Sequence, residues 1–297
     1  MKRVCVMMST YNGERYLRQQ IDSILQLCDV EVALVVRDDG STDSTPQILD
    51  EYQQNRQLEW RRGASNLGPA RSFLKLLADA PTADYYAFSD QDDFWQTDKL
   101  STAVSRLQTL GETALYASEK QPADEHLSPL PTVQRRYLQT FGESLIFRFV
   151  SGCTMVFTEK LRQTVLSVQP DFLPMHDAWI YNIAQAIDAD FYYDYTPKIL
   201  YRQHGDNVVG QTSRMEEWRR RWHRFRQGSG IRSTMARQLL AHFSSQMSNE
   251  NMATLKLFVD GKKSFAARLK ILRDSNLRCA DRTTLALFRI SVLLNKY

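Results

Sequence analysis

The first hundred residues of this 297-residue chain repeat one pattern four times: a short apolar segment, a polar loop and a helix-like segment. The apolar segments have the length of buried strands, and they cover residues 3–9, 31–38, 58–62 and 84–88. Leu17, Ile21 and Ile24 then recur at helical spacing, and Pro46 marks the first turn of the next helix. Strands that alternate with helices form a mostly parallel sheet with helices on both faces, so we predict an α/β fold.

Ligands of such sheets bind at the carboxyl ends of the strands. Here a polar loop follows each of those ends, and each loop carries an acidic or amide side chain. The four loops are residues 10–13, 38–43, 66–68 and 90–95. The chain has neither the GxGxxG pattern of dinucleotide-binding proteins nor a P-loop pattern. We therefore expect a ligand site at this edge that does not use a glycine-rich phosphate loop.

The middle of the chain is less regular. Residues 119–136 are polar and interrupted by prolines, which predicts a surface loop. The apolar run at residues 152–157 predicts a strand, and a helix should begin near His176. Residues 191–193 and 199–202 also have strand-like composition. These segments extend the predicted sheet domain toward residue 210.

The charge distribution divides the chain into two units. The formal net charge is +4, but residues 211–297 carry 18 Lys and Arg against 6 Asp and Glu, a net of +12. The first 210 residues therefore carry a net charge of −8. We predict a catalytic domain at residues 1–210 and a basic α-helical region at residues 211–297, with different partners.

A basic amphipathic helix is predicted at residues 215–231, where Trp218, Trp222 and Phe225 form one stripe between arginines. One interpretation is attachment to an anionic membrane surface, since interfacial helices have this composition. The alternative is that the aromatic stripe packs on the catalytic domain. Nothing else in the sequence supports nucleic-acid binding, so no nucleic-acid partner is predicted.

The cysteines and the apolar segments predict a cytoplasmic protein. The four cysteines lie far apart without CxxC spacing, which is typical of reduced thiols. The N-terminal apolar run is too short for a signal peptide, and no stretch approaches the roughly 20 apolar residues that span a bilayer. Peripheral attachment to the inner face of the plasma membrane is therefore the form of membrane contact that we expect.

Two acidic clusters follow predicted strands. Asp90, Asp92 and Asp93 lie within four successive positions, and such carboxylates repel one another unless a cation neutralises them. They either bind a divalent cation or form an acidic surface loop that caps the next helix. Asp38 and Asp39 either form a turn and helix cap or accept hydrogen bonds from a nucleotide base and ribose.

Seven segments in this order resemble family 2 glycosyltransferases, most closely the bacterial rhamnosyltransferase-like branch. Together they extend over about residues 1–210, and they are STYNGERYLRQQIDSIL, VVRDDGSTD, NLGPARSF, AFSDQDDFWQTDKL, SGCTMVF, MHDAWI and YRQHGDNVVG. The resemblance implies a GT-A fold, a nucleotide-diphosphate sugar donor and a divalent metal, Mn²⁺ or Mg²⁺. An imidazole ligand would favour Mn²⁺.

The resemblance assigns three groups of residues by matching position. The nucleotide-binding group is Ser9, Tyr11, Asn12, Asp38, Asp39, Asn66, Arg71, Asp90 and Gln91. The metal group is Asp90, Asp92 and His204, with Asp93 in a supporting or helix-capping position. The acceptor side is expected to include Trp95, Gly152, Cys153, Thr154 and Trp179, although for Cys153 a place in a core strand is the preferred interpretation.

Asp177 matches the catalytic base of the family. Many members have Glu-Asp at this place, whereas this chain has His176-Asp177. The base is therefore present with a different neighbour, and it also occupies a place where it would cap the following helix. The implied reaction is a single inverting displacement with no covalent intermediate.

The resemblance favours rhamnose from dTDP-rhamnose, and next a UDP-hexose, as the donor. The acceptor would be a glycan or lipid-linked saccharide in bacterial surface polysaccharide synthesis, such as O-antigen. A sugar-nucleotide nucleotidyltransferase is one alternative, but its phosphate loop is not found in STYNGERYL. A non-catalytic scaffold subunit is another, but it would be expected to lack Asp92, Asp177 and His204.

Overall fold

A computed structural model describes residues 1–204 and 230–297 of the chain. In these residues the strands are β1 Lys2–Thr10, β2 Val30–Asp38, β3 Glu59–Arg62, β4 Tyr85–Ser89, β5 Phe94–Trp95, β6 Ala114–Ser118, β7 Gln121–Ala123, β8 Val156–Thr158, β9 Asp190–Asp194 and β10 Ile199–Arg202. The helices are α1 Leu17–Leu25, α2 Thr45–Gln54, α3 Gly68–Asp79, α4 Lys99–Leu107, α5 Phe141–Ile146, α6 Glu159–Leu166, α7 His176–Ala186, α8 Ile231–Phe243, α9 Asn249–Asp260, α10 Phe265–Arg273 and α11 Arg282–Leu293.

Seven strands form the central sheet in the order β3-β2-β1-β4-β8-β6-β9. All neighbours are parallel except β8, which is antiparallel to both β4 and β6. The four strands predicted from the N-terminal pattern are all present, and the mostly parallel sheet is confirmed. Thr10 pairs with Asp38, and Met8 pairs with Ser89, so the carboxyl ends of three strands meet at one edge.

Two apolar cores cover the two faces of this sheet. Alternate residues of β1 serve each core: Val4, Val6 and Met8 pack with α1, α2 and α4, whereas Cys5 and Met7 pack with α3, α5, α6 and α7. A strand buried on both faces is continuously apolar, which explains the run in the sequence.

A small second sheet has the order β5-β10-β7. Ile199 pairs with Trp95 and Leu200 with Phe94, so the end of β10 lies beside the acidic loop that precedes β5. The sheet also corrects the interpretation of residues 119–136 as surface loop throughout. Residues 121–123 form β7, and Ala123 is fully buried.

The segment predicted as a strand at residues 152–157 is only partly extended. Residues 152–154 form a single 3₁₀ turn, and β8 begins at Val156. The turn closes because Thr154 donates its backbone N–H and its hydroxyl to the carbonyl of Ser151. This hydrogen bonding, which apolar composition does not reveal, corrects the prediction.

The C-terminal helices α8–α11 pack against the same core as α5 and α7. Glu143 of α5 is buried and accepts a hydrogen bond from the backbone N–H of Ala280 at 2.8 Å, which fastens the helices to the sheet domain. The boundary at residue 210 and the basic helix predicted at 215–231 lie outside the described residues.

Within residues 1–204 and 230–297, no helix has the length and apolar character needed to cross a bilayer. All four cysteines are free thiols. This agrees with the absence of CxxC spacing noted in the sequence.

Candidate active site

The acidic loop after β4 meets the end of β10 through one side-chain contact. His204 Nε2 lies 2.8 Å from Asp92 Oδ2, although the residues are 112 positions apart. The small sheet produces this contact, because β10 pairs with β5, which directly follows the loop. Both side chains are largely buried, and the ring of Tyr16 packs on that of His204 with centroids 4.8 Å apart. The structure therefore brings together two of the three expected metal ligands.

The chemistry of this loop fits a divalent cation. Burial, followed by the carboxylate of Asp92, raises the pKa of Asp90 to about 7. Burial and the same neighbours also raise the pKa of Asp93 well above its usual range, and its Oδ2 is buried without a hydrogen-bond partner among the described residues. A cation would relieve this repulsion, and carboxylates with one imidazole suit Mn²⁺ or Mg²⁺.

A second group of potential ligand atoms lies beside the first in the described residues. The ligand atoms of Asp90, Asp93 and Cys153 are within 4.8 Å of one another. Burial and the carboxylates of Asp93 and Asp90 raise the pKa of the Cys153 thiol well above its usual range. Since the thiolate is the form that binds metals, Cys153 is a weak candidate ligand. The structure places it against the acidic loop, as a buried wall of the site.

Arg202, to which the sequence assigned no role, connects the acidic loop to two other segments. Its side chain is 2% exposed, and Nε donates to the carbonyl of Asp92 at 2.8 Å. Nη2 donates to Gln19 Oε1 at 2.6 Å, and Nη1 donates to the carbonyl of Glu125. The guanidinium also lies 4.3 Å from the ring centroid of Tyr16. The sequence feature that could have identified Arg202 is its position as an arginine at the end of an otherwise apolar strand.

Asp38 accepts hydrogen bonds from its own turn and from Thr10 of β1, and its expected contact with the base and ribose stays a prediction. Its Oδ1 accepts from the hydroxyls of Thr10 and Ser41, and its Oδ2 accepts from the backbone N–H groups of Gly40 and Ser41. A carboxylate has about four acceptor positions, and all are used here. Asp38 therefore shapes the loop that follows β2.

Asp39 fastens the loop at residues 66–68 and keeps one acceptor position. Its Oδ2 accepts from the backbone N–H groups of residues 67 and 68, both at 2.8 Å, and its Oδ1 accepts from Arg37 at 3.0 Å. Asn66 Oδ1 accepts from residue 68 as well, at 2.9 Å, and the side chain of Arg71 is exposed at the start of α3. Of the two aspartates, Asp39 is the one that keeps an acceptor position without a hydrogen bond among the described residues, although it is buried.

Tyr11 and Gln91 connect the first and fourth strand-end loops. Tyr11 donates its backbone N–H to Gln91 Oε1 at 2.9 Å, and Gln91 Nε2 donates back to the Tyr11 carbonyl at 3.1 Å. A Cβ at Gly13 would lie 2.4 Å from Gln91 Oε1, so a larger residue at this position would displace the Gln91 side chain from its hydrogen bonds with Tyr11. The Tyr11 ring stays half-exposed at the sheet edge, where a planar base could stack on it.

Asn12 and Ser9 line the same edge through short contacts. Asn12 Oδ1 accepts from the backbone N–H of Thr42 at 2.9 Å, which joins the first and second loops. The hydroxyl of Ser9 lies 2.7 Å from that of Ser72 in α3. The residues predicted for nucleotide contact therefore lie at the carboxyl ends of β1 and β2, on the loops that follow β1, β2, β3 and β4, or in the first turn of α3.

Asp177 lies in the first turn of α7 and faces the acidic loop. Its Oδ2 accepts from the backbone N–H of Gly152 at 3.3 Å, and its charge contributes to the raised pKa of Asp90. His176 is buried against Phe73 and Phe88, and burial lowers its pKa to about 4. The neighbour that differs from the usual family pattern is therefore a neutral core side chain.

Three residues expected on the acceptor side are buried in the structure, and their role there stays a prediction. Trp95 is 1% exposed, and its ring lies 3.6 Å from the Lys99 ammonium. Trp179 is 0% exposed and packs on Phe243 of α8. Thr154 is used in the 3₁₀ turn. Gly152 alone of the predicted group touches the Asp177 carboxylate, through its backbone.

Comparisons with known proteins agree with this geometry. The family model described as Glycosyl transferase family 2 matches residues 5–166, more than half of the chain. A dTDP-rhamnosyl transferase of Shigella flexneri, RfbG, is 28% identical over 222 residues, which are 68% of this chain and 73% of that protein.

Two solved structures share the fold. The crystal structure of S. aureus TarS residues 1–349 with UDP-GlcNAc aligns with a TM-score of 0.57 and 16% identity, over 99% of this chain and 91% of that one. The mannosyltransferase PcManGT of Pyrobaculum calidifontis, with GDP-Man and Mn²⁺, aligns with a TM-score of 0.54 and 17% identity, over 100% and 88%. The chain therefore has the expected GT-A fold with a helical C-terminal part.

Proposed function

Because the chain belongs to glycosyl transferase family 2, we propose that it transfers a sugar from a nucleotide-diphosphate donor to a glycan or lipid-linked saccharide, with inversion at the anomeric carbon. The observation that carries the proposal is the meeting of Asp92 and His204 at 2.8 Å, beside the buried carboxylate of Asp90. Asp177 lies within electrostatic reach of that carboxylate. A cation site and a general base thus lie at one sheet edge.

The donor that we propose is dTDP-rhamnose, with a UDP-hexose as the next candidate. The proposal rests on the similarity to RfbG, whose name specifies dTDP-rhamnose. The solved neighbours carry UDP-GlcNAc and GDP-Man, and at 16% and 17% identity their likeness extends to the fold alone. The product would be a bacterial surface polysaccharide such as O-antigen.

The donor would lie across the loops that follow β1, β2 and β4. Tyr11 offers a half-exposed ring for the base, and Asp39 has the remaining acceptor position for a base N–H. Asn66 and Arg71 border the same space from the start of α3. These positions place the diphosphate near the acidic loop, where its charge requires compensation.

Asp90, Asp92 and His204 are the residues that would hold Mn²⁺ or Mg²⁺. When bound, the cation supplies Lewis-acid stabilisation of the leaving diphosphate. Asp93 contributes through its charge and anchors β10 by accepting from the backbone N–H of Arg202 at 3.3 Å. The imidazole favours Mn²⁺ over Mg²⁺.

Asp177 would remove the proton from the acceptor hydroxyl as that oxygen attacks the anomeric carbon. The backbone N–H of Gly152 orients the carboxylate, and the N-terminus of α7 stabilises its negative charge. An inverting glycosidase needs a second carboxylic acid to protonate its leaving oxygen, whereas a diphosphate leaves without that proton. One base is therefore sufficient.

Two alternative functions are less well supported. A sugar-nucleotide nucleotidyltransferase would bind a similar nucleotide, but the loop after β1 is tied to Gln91 and Ser41 instead of offering a lysine-rich phosphate cradle. A scaffold subunit would have no reason to keep Asp92, Asp177 and His204 at one edge.

We propose that the reaction takes place in the cytoplasm and that contact with the membrane is peripheral. The four free cysteines suit a reducing compartment. The basic segment at 215–231 remains a proposed contact with anionic lipid near a lipid-linked acceptor. Its structure lies outside the described residues.

Calorimetric titration with a panel of nucleotide sugars, with and without Mn²⁺ or Mg²⁺, tests the donor and the metal. We expect metal-dependent binding that selects dTDP-rhamnose. Selection of a UDP-hexose would correct the sugar and keep the class. Failure of every donor to bind under either metal would overturn the proposal and favour the scaffold alternative.

The base is tested with Asp177→Asn, and Asp171→Asn is a matched control because Asp171 is an exposed aspartate on the preceding segment. A general base contributes about 10²- to 10⁴-fold, so turnover of the Asp177 variant should fall by roughly that factor. Donor binding should stay close to that of the parent protein. Parent-like turnover would remove Asp177 from the mechanism.

A further inference from the structure

The two last helices carry an exposed apolar surface that the proposed reaction does not use. Half of the exposed large apolar side chains in the described residues belong to the last 33 residues of the chain. We name them the C-terminal apolar face, and they are Phe265, Leu269, Ile290, Leu293 and Leu294. Phe265 is 57% exposed and Leu294 is 55% exposed, values far from those of core positions. Several exposed large apolar side chains on two helices that contact each other are typical of an interaction surface.

The face follows one side of each helix. Phe265 and Leu269 are four residues apart on α10, and Ile290 and Leu293 are three apart on α11, so each pair is adjacent on its helix. Ile271 of α10 and Phe288 of α11 are buried. The two helices pack against each other and therefore present both a buried and an exposed apolar side.

Basic residues accompany this face. Residues 262–297 carry nine Lys and Arg against two Asp, a net charge of +7. The exposed cations within the two helices are Lys270, Arg273, Arg282 and Arg289. Exposed apolar side chains among cations are the composition of interfacial helices that lie on anionic bilayers. An ordinary protein partner would not require this excess of positive charge.

The face is held firmly on the catalytic domain. Asn276, in the connection between α10 and α11, has its carbonyl so close to Gly142 of α5 that a Cβ on Gly142 would lie 1.9 Å from it. Tyr297 donates its hydroxyl to the Phe258 carbonyl at 2.9 Å and closes the helices from the other end. Binding of this face to a membrane would therefore attach the whole catalytic domain to that membrane.

We propose that the C-terminal apolar face docks on an anionic lipid bilayer, with its large apolar side chains in the acyl boundary and its cations on the headgroups. This surface is distinct from the basic segment at 215–231. The proposal does not depend on glycosyl transfer, because binding to vesicles is measured without donor or acceptor.

Co-sedimentation of the full chain with vesicles tests the proposal. One set contains phosphatidylglycerol mixed with phosphatidylcholine, and the other contains phosphatidylcholine alone. The test variant combines Phe265→Glu with Ile290→Glu, and Val133→Glu is the control because Val133 is 80% exposed in a distant loop. We expect the double variant to bind the anionic vesicles at least about tenfold more weakly, and the control to bind like the parent.

Two single variants test how much the positive charge contributes to vesicle binding. Arg273→Gln and Arg289→Gln should each weaken binding to anionic vesicles about fivefold, since each basic residue near such a surface contributes about 1 kcal/mol. Added salt should weaken the parent in the same direction. If the glutamate variant fails to fold by circular dichroism, Leu269→Ser with Leu293→Ser replaces it.

Three outcomes would overturn the proposal. The parent protein could bind anionic vesicles no better than neutral ones. The double variant could bind like the parent while Trp218→Ser with Trp222→Ser loses binding, which would assign the contact to residues 215–231. Light scattering could show a parent dimer that the double variant dissociates without any vesicle binding, which would make the face a contact between two copies of this chain.

Discussion

Replacement of Arg202 by lysine tests whether the metal site is held together from outside its ligands. The guanidinium donates to the carbonyl of Asp92, to Gln19 Oε1 and to the carbonyl of Glu125, which belong to three separate segments. Lysine keeps the charge, but its single ammonium cannot follow the planar fork of arginine to three acceptors. If the lysine no longer reaches the carbonyl of Asp92, the acidic loop loses one of the contacts that hold it in position.

The magnitude follows from the number of hydrogen bonds lost. A hydrogen bond to a charged group contributes about 1.5–3 kcal/mol, so the loss of two of the three costs roughly 3–6 kcal/mol. For a chain of this size, 1 kcal/mol corresponds to about 2 °C in Tm, which predicts a decrease of roughly 6–12 °C. Because Asp92 carries the ligand carboxylate on the same residue, Mn²⁺ should also bind about 10- to 100-fold more weakly, as expected when a supporting partner is removed.

Thermal unfolding measures the first effect, and calorimetric titration with Mn²⁺ measures the second. Arg162→Lys is the matched control. Arg162 also donates to a backbone carbonyl, that of Leu77 at 2.9 Å, and also lies over a tyrosine ring, with its guanidinium 5.0 Å from the Tyr86 centroid. Its partners lie away from the acidic loop, so its replacement should lower Tm and leave Mn²⁺ affinity unchanged.

The reasoning would be refuted by equal behaviour of the two variants. If both lower Tm by a similar amount and both bind Mn²⁺ like the parent, Arg202 stabilises the fold without positioning the metal ligands. If the Arg202 variant binds Mn²⁺ normally and unfolds at the parent temperature, the buried hydrogen bonds contribute little and the calculated magnitude is wrong.

Three further predictions concern the same site. Burial and Asp92 raise the folded-state pKa of Asp90 to about 7 from an ordinary value of 3.8, so this carboxyl should make the metal-free protein lose Tm as pH rises through that interval; Asp90→Asn should remove this contribution to the slope in thermal melts. Gly152→Ala should lower kcat by at least about tenfold with little change in donor affinity, because the new Cβ would lie 2.5 Å from the packed His176 ring and displace the neighbouring Asp177; equal kcat in both proteins would contradict this. Treatment with EDTA should abolish turnover, and Mn²⁺ should restore it better than Mg²⁺ because of the His204 imidazole; full activity in EDTA would exclude a metal requirement.

Local periodicity was enough to predict the sheet domain. Continuous apolar runs such as that of β1 occur where a strand is buried on both faces, and the structure has that arrangement. The loops that follow β1, β2 and β4 could be located for the same reason, because parallel strands end at one edge. The strands and the loops that follow them depend on patterns within short segments, so they could be predicted from the sequence.

The functional residues were predicted by matching motifs, and the structure shows that several of them are buried or already hydrogen-bonded. Trp95 and Trp179 have the side chains that bind sugars, but both are core residues at 1% and 0% exposure. Asp38 has the right charge for a ribose contact, but the hydrogen bonds of its own turn use all of its acceptor positions. Residue type indicates what a side chain is able to do, whereas burial and existing partners decide whether it is free to do it.

The sequence by itself determined the class of fold, the family and the sheet edge where chemistry occurs, because these depend on periodicity and on motifs read within short segments. The resemblance had already grouped His204 with Asp92, but only the tertiary structure decided the strand register that brings them within 2.8 Å across 112 positions, the support of that contact by Arg202, and the exposure of apolar side chains among cations on the last helices. Each of these depends on strand register or on packing between distant segments. Such contacts arise only when the whole chain is folded, so no local pattern specifies them.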